Sequence, residues 1–93
     1  RTPLRFKFSG NILNISCTTP FGSVNDNIAV QMTGDDIEIG FNNRYILDAL
    51  RACKDDEVRL TMSSPLMSMT ITPVKEDEKG SYVFLVSPMR FVN

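Results

Sequence analysis

From Leu4 to Phe41 apolar residues recur mostly at every second position, and that period of two restricts the stretch to half-buried β-strands. Leu4, Phe6 and Phe8 alternate with Arg5 and Lys7, and beyond a Ser9-Gly10-Asn11 turn Leu13, Ile15 and Cys17 alternate with Asn14 and Ser16. An antiparallel hairpin with one face on a core and one in water accounts for both runs. Thr18 to Ser23, with Pro20 and Gly22, reads as a turn or loop. Ile28, Val30 and Met32 predict a third strand that stops at Gly34-Asp35-Asp36, and Ile37, Ile39 and Phe41 predict a fourth.

The period changes at Asn42. Ile46, Ala49, Leu50 and Cys53 fall at i, i+3, i+4 and i+7, one side of a short helix that Asn42 or Asn43 can cap. Its polar side holds Arg44, Asp48, Arg51 and Asp55, with Arg44 and Asp48 spaced for an i,i+4 pair. Asp55-Asp56 closes the helix. Val58, Leu60 and Met62 then form one strand face and Met67, Met69 and Ile71 another, joined by Ser63-Ser64-Pro65-Leu66. Lys75-Glu76-Asp77-Glu78-Lys79-Gly80 reads as a charged hairpin loop. The final strand, Tyr82 to Val86, is apolar on both faces: Tyr82, Phe84 and Val86 point one way, Val83 and Leu85 the other, so a second apolar contact is required. The pattern predicts an α+β fold, mostly antiparallel sheet with one helix. Ninety-three residues allow one core, burying about 60 to 65% of the unfolded chain's surface.

The last strand runs into the tail Ser87-Pro88-Met89-Arg90-Phe91. Proline cannot donate to a ladder, and a methionine and a phenylalanine beside it are left at the surface, which predicts an adhesive patch. Enzymatic chemistry finds little support: histidine is absent, and the acidic residues gather in turns such as Asp35-Asp36 and Asp55-Asp56-Glu57, where solvated charge is the ordinary explanation. Those pairs lack the ligand spacing and glycine of a calcium loop. Cys17 and Cys53 have no zinc-ligand spacing and read as buried free thiols, as suits a reducing cytoplasm. No metal and no cofactor are expected. Ten basic against eleven acidic residues give a net charge of −1, so nucleic acid cannot be held by bulk electrostatics. No run approaches the ~18 to 20 apolar residues of a membrane span, and the chain is expected to be soluble.

Three separated segments, IGFNNRYILDAL (39–50), Ser64-Pro65-Leu66 and SPMRF (87–91), occur in the order found in the bacterial DNA polymerase III beta subunit, the sliding-clamp family, and the chain closely resembles the C-terminal domain of that family. The resemblance implies the DNA-clamp fold, with residues 1–93 as a third clamp domain that lacks its first strand and first helix. The tail departs from the family's Met-Pro-Met-Arg-Leu, with Ser87 for the first methionine, Phe91 for leucine, and Val92-Asn93 appended.

By resemblance, Asn42, Tyr45, Leu66, Ser68, Leu85, Ser87, Pro88, Met89, Arg90 and Phe91 form a groove that captures short linear motifs carrying Gln, Leu and Phe. The partners so implied are the catalytic subunit of the replicative polymerase, the clamp loader, and translesion and repair proteins. The helix would face duplex DNA, with Arg44, Arg51 and Lys54 attracting phosphates without reading bases. The stretch from Val24 to Met32 would be the edge where two protomers meet in a homodimeric ring, although Asp26 is the one charge in Ser23-Val24-Asn25-Asp26-Asn27. The implied role is that of a non-catalytic processivity clamp in the bacterial cytoplasm, at the nucleoid. The missing strand and helix should leave Phe6, Phe8, Leu13 and Ile15 uncovered, so the chain alone is expected to self-associate through its N-terminal half. The other reading open to these residues is a non-catalytic β-rich structural or assembly domain without a ligand pocket, its tail serving only to pack.

Overall fold

The computed structural model describes residues 3–53, 56–74 and 82–90. Four strands come first: β1 (Leu4–Ser9), β2 (Ile12–Thr19), β3 (Gly22–Ala29) and β4 (Ile37–Phe41). The helix α1 (Asn43–Ala52) follows, then β5 (Val58–Thr61), β6 (Met69–Pro73), β7 (Phe84–Val86) and β8 (Pro88–Met89). They form a five-stranded antiparallel sheet in the order β3-β2-β1-β4-β8 and a three-stranded antiparallel sheet in the order β5-β6-β7.

The first hairpin follows from its turn residues. Gly10 and Asn11 both take φ of 59°, the two left-handed positions of a two-residue turn, and glycine and asparagine adopt them at least cost. Asn11 also ties down the segment after β3: its carbonyl accepts from the Val30 amide at 3.0 Å and its Oδ1 from the Met32 amide at 3.0 Å. Val30 and Met32 therefore hang from the hairpin turn instead of extending the third strand.

That strand begins earlier than its sequence suggests. The expected loop from Thr18 to Ser23 is a tight hairpin with only Pro20 and Phe21 between β2 and β3. The Thr19 hydroxyl closes it, donating to the Gly22 carbonyl at 3.2 Å and accepting from the Phe21 amide at 3.2 Å. The polar run Ser23 to Asn27 is kept extended by its neighbour, because the Asn14 amide on β2 donates to Asn25 Oδ1 at 2.7 Å and to Asn27 Oδ1 at 2.8 Å.

Phe6, Phe8, Leu13, Ile39 and Phe41 from the larger sheet meet Ile46 of α1 and Met69, Ile71 and Val86 of the smaller sheet in one buried cluster. Phe6 stands edge-on to Phe41 with ring centroids 5.3 Å apart, a favoured aromatic geometry. This corrects the expectation that Phe6, Phe8 and Leu13 lie uncovered. They are buried, with Ile15 half-buried, because the helix and the second sheet close over β1 and β4. In the larger sheet the exposed large apolar side chains lie further out: Val24 and Ile28 on β3, Phe21 at the hairpin tip and Ile12 at the start of β2.

Two smaller corrections concern the second half. Leu50 is exposed, since Ile46, Ala49 and Cys53 alone make the contact with the core and Leu50 sits at the margin of that stripe. Met67 is in a turn, where its amide bonds to the Ser64 carbonyl and Pro65 occupies the position whose fixed φ favours turning. The charged segment 75–80 lies outside the described residues, as does Asp55. No helix among the described residues is long and apolar enough to cross a membrane.

Candidate functional site

The chain crosses from one sheet to the other at Ser87. Val86 is the last residue of β7, paired with Met69, while Pro88 is the first of β8, paired with Phe41. The tail expected to trail from the last strand is therefore itself an edge strand of the larger sheet, where a proline's missing amide costs no ladder bond. Since Phe41 immediately precedes the helix cap, this crossing sets Ser87 and Pro88 beside the start of α1.

Asn42 is that cap. Its Oδ1 accepts from the Arg44 amide at 3.0 Å and the Tyr45 amide at 3.2 Å, satisfying two of the helix's free donors, a role worth about 1 kcal/mol. Capping orients the first turn and leaves Tyr45 66% exposed beside the crossing. On the smaller sheet the register places Thr61, Thr70 and Leu85 in one row on the outer face, while Met69, Ile71, Phe84 and Val86 face inward. Leu85, 71% exposed, is thus held in water by the same alternation that buries Val86. The Ser64–Met67 turn ahead of β6, braced by the Leu66 amide on Ser64 Oγ at 3.2 Å, holds Leu66 out at 64% exposure.

Of the residues expected in a groove, Leu66, Ser68, Leu85, Ser87 and Arg90 are exposed and Asn42, Pro88 and Met89 are half-buried, while Phe91 lies outside the described residues. Of the expected DNA-facing cations, Arg44 and Arg51 are exposed on α1 and Lys54 lies outside the described residues. Among the described residues Arg44 and Asp48 form no salt bridge, whereas Arg5 pairs with Glu38 and ties β1 to β4. Sequence reasoning left Met67 and Val83 out of the adhesive surface, although both are exposed. The alternation that turned Leu85 outward was the available signal for Val83. Met67, placed on a strand, could be found only through the turn.

Leu66 and Leu85 thus stand in water, Pro88 and Met89 are half-buried on the edge strand, and Tyr45 is exposed on the first turn of the capped helix, apolar groups of the kind that can serve as anchors for a bound chain.

The family described as DNA polymerase III beta subunit, C-terminal domain, matches residues 1–90. The chain is similar to the beta sliding clamp of Lactococcus lactis, 32% identical over 89 residues, which cover 94% of this chain and 23% of that protein. Among solved structures it is similar to the DNA polymerase III beta subunit of Thermotoga maritima, with a TM-score of 0.84 and 27% identity over 96% of this chain and 24% of the other. A putative beta subunit from Eubacterium rectale gives a TM-score of 0.85 and 30% identity over 97% of this chain and 24% of the other. The chain spans about a quarter of the length of these relatives.

Proposed function

The chain belongs to the family formed by the C-terminal domains of DNA polymerase III beta subunits, and from that membership we propose that it is the third domain of a sliding clamp, the part that docks replication and repair proteins. It carries no catalysis of its own. The ring it belongs to encircles duplex DNA in the bacterial cytoplasm and keeps the replicative polymerase attached, while the clamp loader and the translesion and repair proteins reach the same groove through short linear motifs. What supports this reading is the outward-held Leu66 and Leu85, together with Pro88 and Met89 on the edge strand that pairs beside the Asn42-capped helix start, residues that the resemblance assigns to the family's groove. In the ring, β3 is the edge where two protomers meet and α1 faces the DNA. The 93-residue chain alone self-associates through that same open edge.

Fluorescence anisotropy with a labelled peptide bearing Gln, Leu and Phe tests the groove. About two side chains buried at ~1.5 to 3 kcal/mol each, set against the cost of association, leave the isolated chain with a Kd of roughly tens of micromolar or weaker. Met89→Ala and Leu66→Ala each weaken binding several-fold, and Lys7→Ala, on an exposed position of β1, leaves it unchanged. Equal affinity in all three variants would remove the groove and leave a β-rich structural domain without a pocket.

Towards DNA the isolated chain is expected to be inert. A net charge of −1 with Arg44 and Arg51 interleaved with Asp48 neutralises too few phosphates to hold a duplex at ~150 mM salt. A gel shift should show no complex, whereas replacing Arg44, Arg51 and Lys54 together in a full-length clamp should slow loading or sliding without changing sequence preference. A tight complex formed by the chain alone sinks this assignment.

A further inference from the structure

The five methionines are not placed alike. Met69 is fully buried, and Met32 and Met62 pack against the core cluster. Met67, 58% exposed, sits next to Leu66 in the Ser64–Met67 turn, and Met89, half-buried on β8, does not join that cluster among the described residues. The two methionines that leave the core are the two at the proposed groove. Thioether sulfur oxidises according to its accessibility, and the product exchanges a flexible apolar side chain for a polar one.

We infer that Met67 and Met89 are modification sites for hydrogen peroxide and that their oxidation closes the groove to its peptides, an inference that rests on the docking reading above. The sulfur lone pair attacks one peroxide oxygen, the S–O bond forms as the O–O bond breaks, and the departing hydroxide takes the proton of the transferred oxygen to leave as water. Sulfur is oxidised by two electrons and the peroxide is reduced. The sulfoxide oxygen then sits where a leucine or phenylalanine of the motif would strip its water away without replacing the hydrogen bond. Methionine sulfoxide reductase reverses the change.

The test uses a full-length clamp carrying this domain, titrated with hydrogen peroxide and followed by mass-spectrometric mapping and by anisotropy with the Gln-Leu-Phe peptide. Sulfoxide should accumulate at Met67 and Met89 ahead of the buried Met69, and peptide affinity should fall at least about fivefold, as for one stranded polar group. Reductase should restore it. The double variant Met67→Leu/Met89→Leu has no thioether to oxidise at these positions, so whatever its starting affinity, peroxide should cause no further loss. Uniform oxidation of all five methionines, or unchanged affinity with sulfoxide at both positions, overturns the proposal. Failure of the docking reading shows itself separately, as untreated protein that does not bind the peptide, and it removes the control of docking as well.

Discussion

Replacing Phe41 with alanine should lower the unfolding free energy by about 3 to 5 kcal/mol, the usual cost of deleting a fully buried phenyl ring. At ~0.05 to 0.15 kcal/mol per residue, a chain of this length has only about 5 to 14 kcal/mol to lose. Phe41 is where the loss spreads furthest. Its backbone pairs with Leu4 on one side and Pro88 on the other, its ring meets Phe6, and the next residue is the helix cap. A cavity there loosens the β1–β4 pairing, the seating of α1 and the β8 crossing together. Urea unfolding followed by circular dichroism should show the midpoint collapsing for Phe41→Ala and the unfolding free energy changing by less than about 0.5 kcal/mol for Leu85→Ala, whose side chain is mostly in water already. A loss under ~1 kcal/mol at Phe41 would mean that the cluster repacks around the gap and that the two sheets are not held by this ring.

The parts of the fold that could be read in advance are those where one residue decides one structure. Gly10-Asn11 admits a two-residue turn and little else, and Asn42 ahead of Ile46, Ala49 and Cys53 marks a capped helix on its own. Alternation predicts Leu85 outward, and it is exposed, because that signal is local; Leu66, placed in the groove by resemblance, stands exposed in the turn at Pro65. The failures have non-local causes. β3 is written in asparagines and serine, and it is a strand because Asn14 bonds across to Asn25 and Asn27. Pro88-Met89 becomes a strand only against Gly40 and Phe41, a pairing no window around the tail contains. The burial of Phe6, Phe8 and Leu13 depends in the same way on Met69, Ile71 and Val86 arriving from the other sheet.

On the proposal that β3 is the edge where two protomers meet, Val24→Lys combined with Ile28→Lys should convert a full-length clamp carrying this domain from a closed dimer to monomers at micromolar concentration. β3 lies at the end of the five-stranded sheet with all eight residues exposed, and it carries none of the lysines or prolines by which edge strands ordinarily resist pairing. Val24, Asp26 and Ile28 share the face that continues the core side of β2, opposite Cys17, Ile15 and Leu13, so an added strand would cover two apolar side chains and one acid. Two lysines on that face have only Asp26 between them as a partner, so at least one ammonium would be buried uncompensated at ~3 to 5 kcal/mol, enough to weaken assembly at least about a hundredfold. With Asp26 as the single charge on β3, the parent contact should respond weakly to salt between ~0.1 and ~0.5 M, a range over which surface ion pairs are screened. Sedimentation velocity separates the outcomes. A double variant that sediments like the parent would place the dimer contact on another edge, and a ring that opens steeply with salt would show that charges outside β3 hold it shut.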